Sequence, residues 1–112
     1  GKSHSGPDYV AAWAKLEQCR MVWDQAVAGF DAVLTPSCPI LPPNMAQLQS
    51  DHDYYVRANL LTLRNTRIGN LMGLCALSLP TSKPGCGVQL LGQPDCEEAL
   101  LRIGASVEAA LC

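Results

Sequence analysis

Few residues in this chain are able to do chemistry. Six cysteines stand at Cys19, Cys38, Cys75, Cys86, Cys96 and Cys112. An even count in a short chain invites a disulfide framework. Against that, the gaps are wide and irregular, and several of these cysteines take Ala, Val or Leu places in apolar patterns, as free buried thiols do. Six free, reduced thiols are therefore expected. There is no Cys-x-x-Cys pair, and His4 and His52 lack zinc-ligand spacing to any cysteine, so no metal site is expected. A thiol nucleophile at Cys38 or Cys75 would need a base beside it, and nothing local supplies one. The lysines are Lys2, Lys15 and Lys83. No Gly-rich phosphate loop, His-Glu-x-x-His or Gly-x-Ser-x-Gly run occurs, and no cofactor is expected. Glu97 and Glu98 adjoin a helix start, where their charge suits the macrodipole rather than acid–base work. The remaining signal is a set of small polar residues in apolar surroundings. Ser37 and Cys38 directly follow an apolar run, and ligand sites of open α/β sheets favour the carboxyl ends of strands. Asn65, Thr66 and Asn70 lie among leucines, and buried amides and hydroxyls must find hydrogen-bond partners. Ser37, Cys38, Asn65 and Thr66 are thus the candidate substrate-binding residues. The competing reading is that Thr66 and Asn70 only tie a helix end to neighbouring backbone.

The elements that must position these residues can be read from periodicity. Residues 1–6 are polar and read as frayed, and Pro7 suits the first turn of a helix. Tyr9, Trp13, Leu16, Trp23, Val27 and Phe30 form one apolar helical stripe, which Gly29 can stop. Residues 32–35, Ala-Val-Leu-Thr, read as a buried strand ended by Pro36. Residues 36–50 hold Pro36, Pro39, Pro42 and Pro43 and read as one long loop. A second helix should start after Asp51 or Asp53 and run to about Met72, where Gly73 breaks it. Residues 76–79 and 87–91 read as two strands of a hairpin around the turn Ser82-Lys83-Pro84-Gly85. Asp95 with Glu98 resembles a capping box for a last helix carrying Leu100, Ile103, Gly104, Val107 and Leu111 on one face. The fold class expected is α/β, with helices packed on a small mixed sheet.

Composition bounds the partners. The chain has 112 residues and a formal charge of −2, so one unit spanning residues 1–112 is the natural expectation. A nucleic-acid binder would show a basic footprint, which is absent. No apolar run is long enough to span a membrane, and no basic segment followed by an apolar one marks a secretory signal. Charged residues make up 16% of the chain and hydrophobic ones 48%, with mean hydropathy +0.08. About 25% charge is usual. So apolar a surface on so small a unit suggests that part of it is covered, by the rest of a longer protein or by self-association. A first residue that is Gly rather than Met fits a processed chain or a piece of a longer one.

Three blocks, taken together, resemble a known family. Residues 66–80 read Thr-Arg-Ile-Gly-Asn-Leu-Met-Gly-Leu-Cys-Ala-Leu-Ser-Leu-Pro. This is similar to the C-terminal block of the amidase signature family, in which a Thr is followed by Asn and then Gly-x-Pro-Ala-x-Ser-x-Pro. Thr66, Asn70, Gly73, Ala76, Ser78 and Pro80 match, and Cys75 replaces the usual Pro. Residues 87–92, Gly-Val-Gln-Leu-Leu-Gly, resemble that family's Gly-x-Gln strand. Residues 31–36 with Pro39 resemble its Asp-x-φ-φ-x-Pro strand and loop. The resemblance implies a cytoplasmic enzyme that cleaves carboxamide C–N bonds of a small amide substrate, built on a larger three-layer α/β/α fold. It also implies that the nucleophilic Ser, the bridging cis-Ser and the basic Lys lie in an N-terminal part absent from this sequence. No catalytic residue is therefore expected here, and the chain alone should be inactive. It would be a C-terminal piece supplying strands and one wall of a pocket. The alternative is a stand-alone, non-catalytic α/β interaction module.

Overall fold

The computed structural model describes residues 3–111, which fall into two compact units, one ending at Phe30 and the other starting at Asp31. The first unit is a single helix, α1 (Gly6–Val27). Ser5 caps it, one residue earlier than Pro7 alone suggests. The Ser5 hydroxyl accepts from the Asp8 backbone N–H at 3.3 Å, and the Asp8 carboxylate accepts from the Ser5 backbone N–H at 2.9 Å. Two orphan donors of the first turn are satisfied reciprocally. At the other end Gly29 takes a left-handed φ of 88°, and the Phe30 N–H donates to the Val27 carbonyl at 3.0 Å. No residue of α1 is fully buried.

The second unit is built on three strands, β1 (Val33–Pro36), β2 (Cys75–Pro80) and β3 (Gly87–Gly92). Their order is β1-β3-β2, and both outer strands pair antiparallel with β3. The sheet is therefore antiparallel throughout, and the mixed sheet expected from the sequence is not found among the described residues. The reason is placement: β1 and β2 run the same way, but the hairpin sets β3 between them, so they never pair directly.

Neighbouring residues on a strand face opposite ways, and Leu90 and Leu91 of β3 are both buried for that reason. Leu90 joins Leu79 and Leu100 in the core beneath helix α5 (Glu97–Leu111). A Cβ on Gly104 would collide with Leu77 Cδ2, so glycine lets α5 lie this close to β2 with Leu77 in its present position. On the other face, a Cβ on Gly69 would stand 3.3 Å from Leu91 Cδ2. That places a second helical layer against the sheet.

The helices packed on the sheet depart from those expected in three ways. The loop after β1 ends at Asn44 rather than Ser50, because Met45–Ser50 forms a short helix, α2. The last proline is Pro43, and Asn44 caps α2 by accepting from the Gln47 N–H at 3.1 Å. The long second helix is two, α3 (His52–Thr62) and α4 (Arg64–Met72), with Leu63 between them. Asp51 caps α3 through the Tyr54 N–H at 2.9 Å, and Gly73, at φ 74°, closes α4. Finally, Asp95 adopts φ 59°, and the first bond into α5 runs from the Leu100 N–H to the Cys96 carbonyl. The helix thus starts beyond the expected Asp95 cap.

Candidate functional site

The site is built on the sheet face opposite α5. Thr35 of β1, Gln89 of β3 and Ser78 of β2 stand in one cross-strand row. They share the face of Leu91, two residues from Gln89, which meets Gly69 of α4. Ser37 continues that face beyond the end of β1, and its hydroxyl is hydrogen-bonded to the Ser78 hydroxyl. Asn65, only 8% exposed, reaches down from the first turn of α4, and its Nδ2 donates to the Pro36 carbonyl at 2.8 Å. A polar seam therefore runs between sheet and helix layer. Two of its atoms, Thr35 Oγ1 and Gln89 Oε1, are buried without a partner among the described residues.

Past the strand ends, Ser37 and Cys38 line one cavity of about 230 Å³ with Pro39, Ile40 and the hairpin segment 85–87. Its walls are held close by glycine. A Cβ on Gly87 would stand 2.9 Å from Ser37 Oγ, and one on Gly85 would stand 2.8 Å from Pro42 Cγ. The rigid proline loop and the hairpin turn therefore touch.

Of the four residues singled out from sequence, the structure brings Ser37 and Cys38 to one cavity. Asn65 is tied to the residue preceding Ser37. Thr66 is half-buried, and its hydroxyl donates to the Leu63 carbonyl at 3.2 Å, a bond within its own helix start. Asn70 is exposed. Gln89 and Thr35 escaped sequence reasoning. The signal for Gln89 was available: one amide inside an otherwise apolar strand must be either exposed or hydrogen-bonded.

Chemically, the cavity offers a hydroxyl, thiols and apolar side chains. A serine nucleophile needs a base within hydrogen-bond reach. Ser37 instead meets another hydroxyl, and no Lys, His or carboxylate lines the cavity. Cys19, Cys38, Cys75, Cys86 and Cys96 carry free thiols, while Cys112 lies outside the described residues. The Cys75 thiol donates to the Gln93 carbonyl at 3.1 Å, which fastens the start of β2 to the end of β3. No group of three His, Cys, Asp or Glu able to hold a metal occurs among the described residues. No helix among them is long and apolar enough to cross a membrane.

Comparison with known proteins adds what the geometry alone does not. The chain is 33% identical over 111 residues to 2-amino-5-chloromuconic acid deaminase of Comamonas testosteroni, covering 96% of this chain and 24% of that protein. It is 32% identical over 113 residues to the fatty acid amide hydrolase of Oryza sativa subsp. japonica, covering 95% of this chain and 18% of that protein. A third relative is a subunit of the glutamyl-tRNA(Gln) amidotransferase of Halobacterium salinarum, 32% identical over 100 residues, 87% of this chain and 22% of that protein. This chain belongs to the amidase signature family. It spans about a quarter or less of the length of these relatives. No family model matches the chain, and no solved structure matches it significantly. Of the residues that carried the resemblance, Thr66 and Asn70 lie on α4, Gly73 caps its C-terminus, and Ser78 lies on β2 in the seam.

Proposed function

We propose that this chain is the C-terminal part of an amidase-type hydrolase that cleaves the C–N bond of a small carboxamide in the cytoplasm. In this reading it completes a larger three-layer α/β/α fold and supplies one wall of the substrate pocket. The Ser, cis-Ser and Lys set implied by the family resides in the remainder of the longer protein. The observation that carries the reading is relatedness along nearly the whole chain to proteins named as a deaminase, an amide hydrolase and part of an amidotransferase. The absence of any base around Ser37 and Cys38 in their cavity supports a wall rather than a catalytic role. Ser37 and Cys38 face the substrate. Asn65 holds them in place through Pro36, and Thr66 follows it on α4 with its hydroxyl bonded back to Leu63.

The exposed edges of β1 and β2 fit this assembly. Leu34 is 60% exposed although its partner Leu90 is buried, so the apolar face of β1 is uncovered in this unit. Unpaired edges and bare apolar strand faces call for pairing, either with the rest of the parent enzyme or with another copy.

The test uses the parent enzyme and the 112-residue chain side by side. The parent should hydrolyse simple carboxamides and the chain alone should not. Ser37→Ala and Cys38→Ala in the parent should raise KM with little change in kcat, the signature of lost binding common to ground and transition states. Turnover by the isolated chain that a single Ser→Ala change abolishes would overturn the wall role. An unchanged KM in both variants would remove Ser37 and Cys38 from the pocket.

A further inference from the structure

A second cavity lies apart from the polar seam, between the proline loop and helix α3. It measures about 300 Å³ and is walled by Ile40, Leu41, Pro42, Pro43, Ala58 and Leu61. That volume is at the lower end of those that hold small molecules, and apolar walls with a few placed polar groups are the usual composition of such sites. Three prolines in residues 39–43 stiffen one wall. Helix α3 forms the other.

Two polar side chains of α3 line the same cavity, Tyr54 and Arg57. Their spacing of three residues puts them on one face of the helix. The Tyr54 hydroxyl oxygen accepts from the Asn44 backbone N–H at 3.3 Å, which fastens the loop to the helix. That bond uses a lone pair and leaves the hydroxyl proton without an acceptor among the described residues. Arg57 has neither an ion pair nor a hydrogen bond among them. The nearest acids on its own helix do not neutralise it. Asp51 is occupied in capping the Tyr54 N–H, and Asp53, one turn before Arg57, forms no ion pair with it.

We propose that this cavity binds a small carboxylate carrying an apolar body. The carboxylate would accept from the Arg57 guanidinium and the Tyr54 hydroxyl, and the body would lie against Ile40, Pro42, Ala58 and Leu61. The donors decide the class. A guanidinium fork and a phenolic proton both give hydrogen bonds and accept none, so they match a group that is acceptor-only and anionic. A neutral carboxamide offers one acceptor oxygen and no charge to meet the guanidinium. A phosphate carries a second charge, and Arg57 is the one cation lining the cavity among the described residues.

The test is a chemical-shift titration of the 112-residue chain with benzoate and, separately, with benzamide, its neutral counterpart of nearly the same shape. Benzoate should bind about tenfold more tightly, the difference expected when one bond to a charged group is lost. The shifts should centre on residues 40–44 and 54–61. Raising the salt concentration should weaken benzoate and leave benzamide unchanged. Arg57→Gln should abolish the preference, Arg57→Lys should retain most of it, and Tyr54→Phe should weaken benzoate alone. Arg57 is exposed, so an unchanged unfolding midpoint in the glutamine variant is expected and separates lost binding from lost fold. Equal affinity for the two probes, shifts centred elsewhere, no binding of benzoate, or a preference that survives Arg57→Gln would each overturn the proposal. The readout is binding without catalysis, so its failure leaves the amidase reading standing, and an inactive parent enzyme would leave this cavity unaffected.

Discussion

Removing the Asn65 side chain tests the seam at the point where helix layer and sheet are joined. Asn65 is 8% exposed and donates to the Pro36 carbonyl at 2.8 Å, across 29 residues of sequence. Asn65→Ala deletes this donor and leaves the part-buried Pro36 carbonyl without its hydrogen bond. An orphaned buried partner costs about 1–3 kcal/mol. For a unit of this size each kcal/mol moves the unfolding midpoint by about 4–8 °C, so a midpoint lower by about 4–24 °C is expected. Asn65→Asp is a sharper version, because it keeps the shape but turns a donor into an anionic acceptor aimed at a carbonyl oxygen. It should destabilise at least as much as the alanine change at neutral pH and recover partly as the carboxyl is protonated. The assay is thermal and urea unfolding of both variants against the wild type, read by circular dichroism. If Asn65→Ala stays within about 0.5 kcal/mol of the wild type, the scale of an ordinary surface change, the bond to Pro36 does not hold the layers together. The positioning argument for Ser37 and Cys38 then fails with it.

Three further outcomes follow from the packing and the caps. Leu90→Ala, at a side chain 2% exposed in the centre of the core, should cost about 2–5 kcal/mol in urea unfolding; a cost below about 1 kcal/mol would show that α5 does not seal that face. Thiol titration of the unfolded protein, kept without reductant and away from air, should report six free cysteines, and two or fewer would mean disulfides form. The hydrogen bonds from Ser5 hold the Asp8 carboxyl below its ordinary value; a depressed pKa contributes helix stability that is present above the unfolded value and lost as pH falls through the folded one. Helicity of a peptide spanning residues 3–30 should therefore decline in acid, more in the wild type than in Asp8→Asn.

Much of the local structure was legible in the residues themselves. Pro7, Asp51, Gly73 and the pair of strands around residues 82–85 mark their elements by conformational restriction: a locked φ, a capping oxygen, a tolerated positive φ. Such restrictions act within a few residues and need no knowledge of the rest of the chain. The same holds for the family blocks, which are runs of contiguous residues. Where local signals competed, the outcome depended on more. Asp95 has the spacing of a cap, but the turn that leads out of β3 places it at φ 59°, and α5 starts later. Asn44 has an equally short-range signal that four nearby prolines masked.

The tertiary structure alone decided what those elements do together. Whether the sheet is mixed or antiparallel turns on which strand sits in the middle, a matter of pairing between residues more than 50 apart, such as Leu34 and Leu90. No periodicity encodes that choice. The fate of the four polar candidates was decided the same way. Ser37 and Cys38 reach a common cavity because the hairpin returns Gly87 to Ser37, with Gly85, at a left-handed φ of 74°, against Pro42. Asn65 faces Pro36 because Gly69, one helical turn on, lets α4 settle on Leu91. Thr66, the next residue, points to its own backbone instead, because a helix turns by about 100° per residue. The sequence determines which side chains are polar, which are stiff and where the backbone can bend. Close packing across the sheet determines which of the polar ones meet.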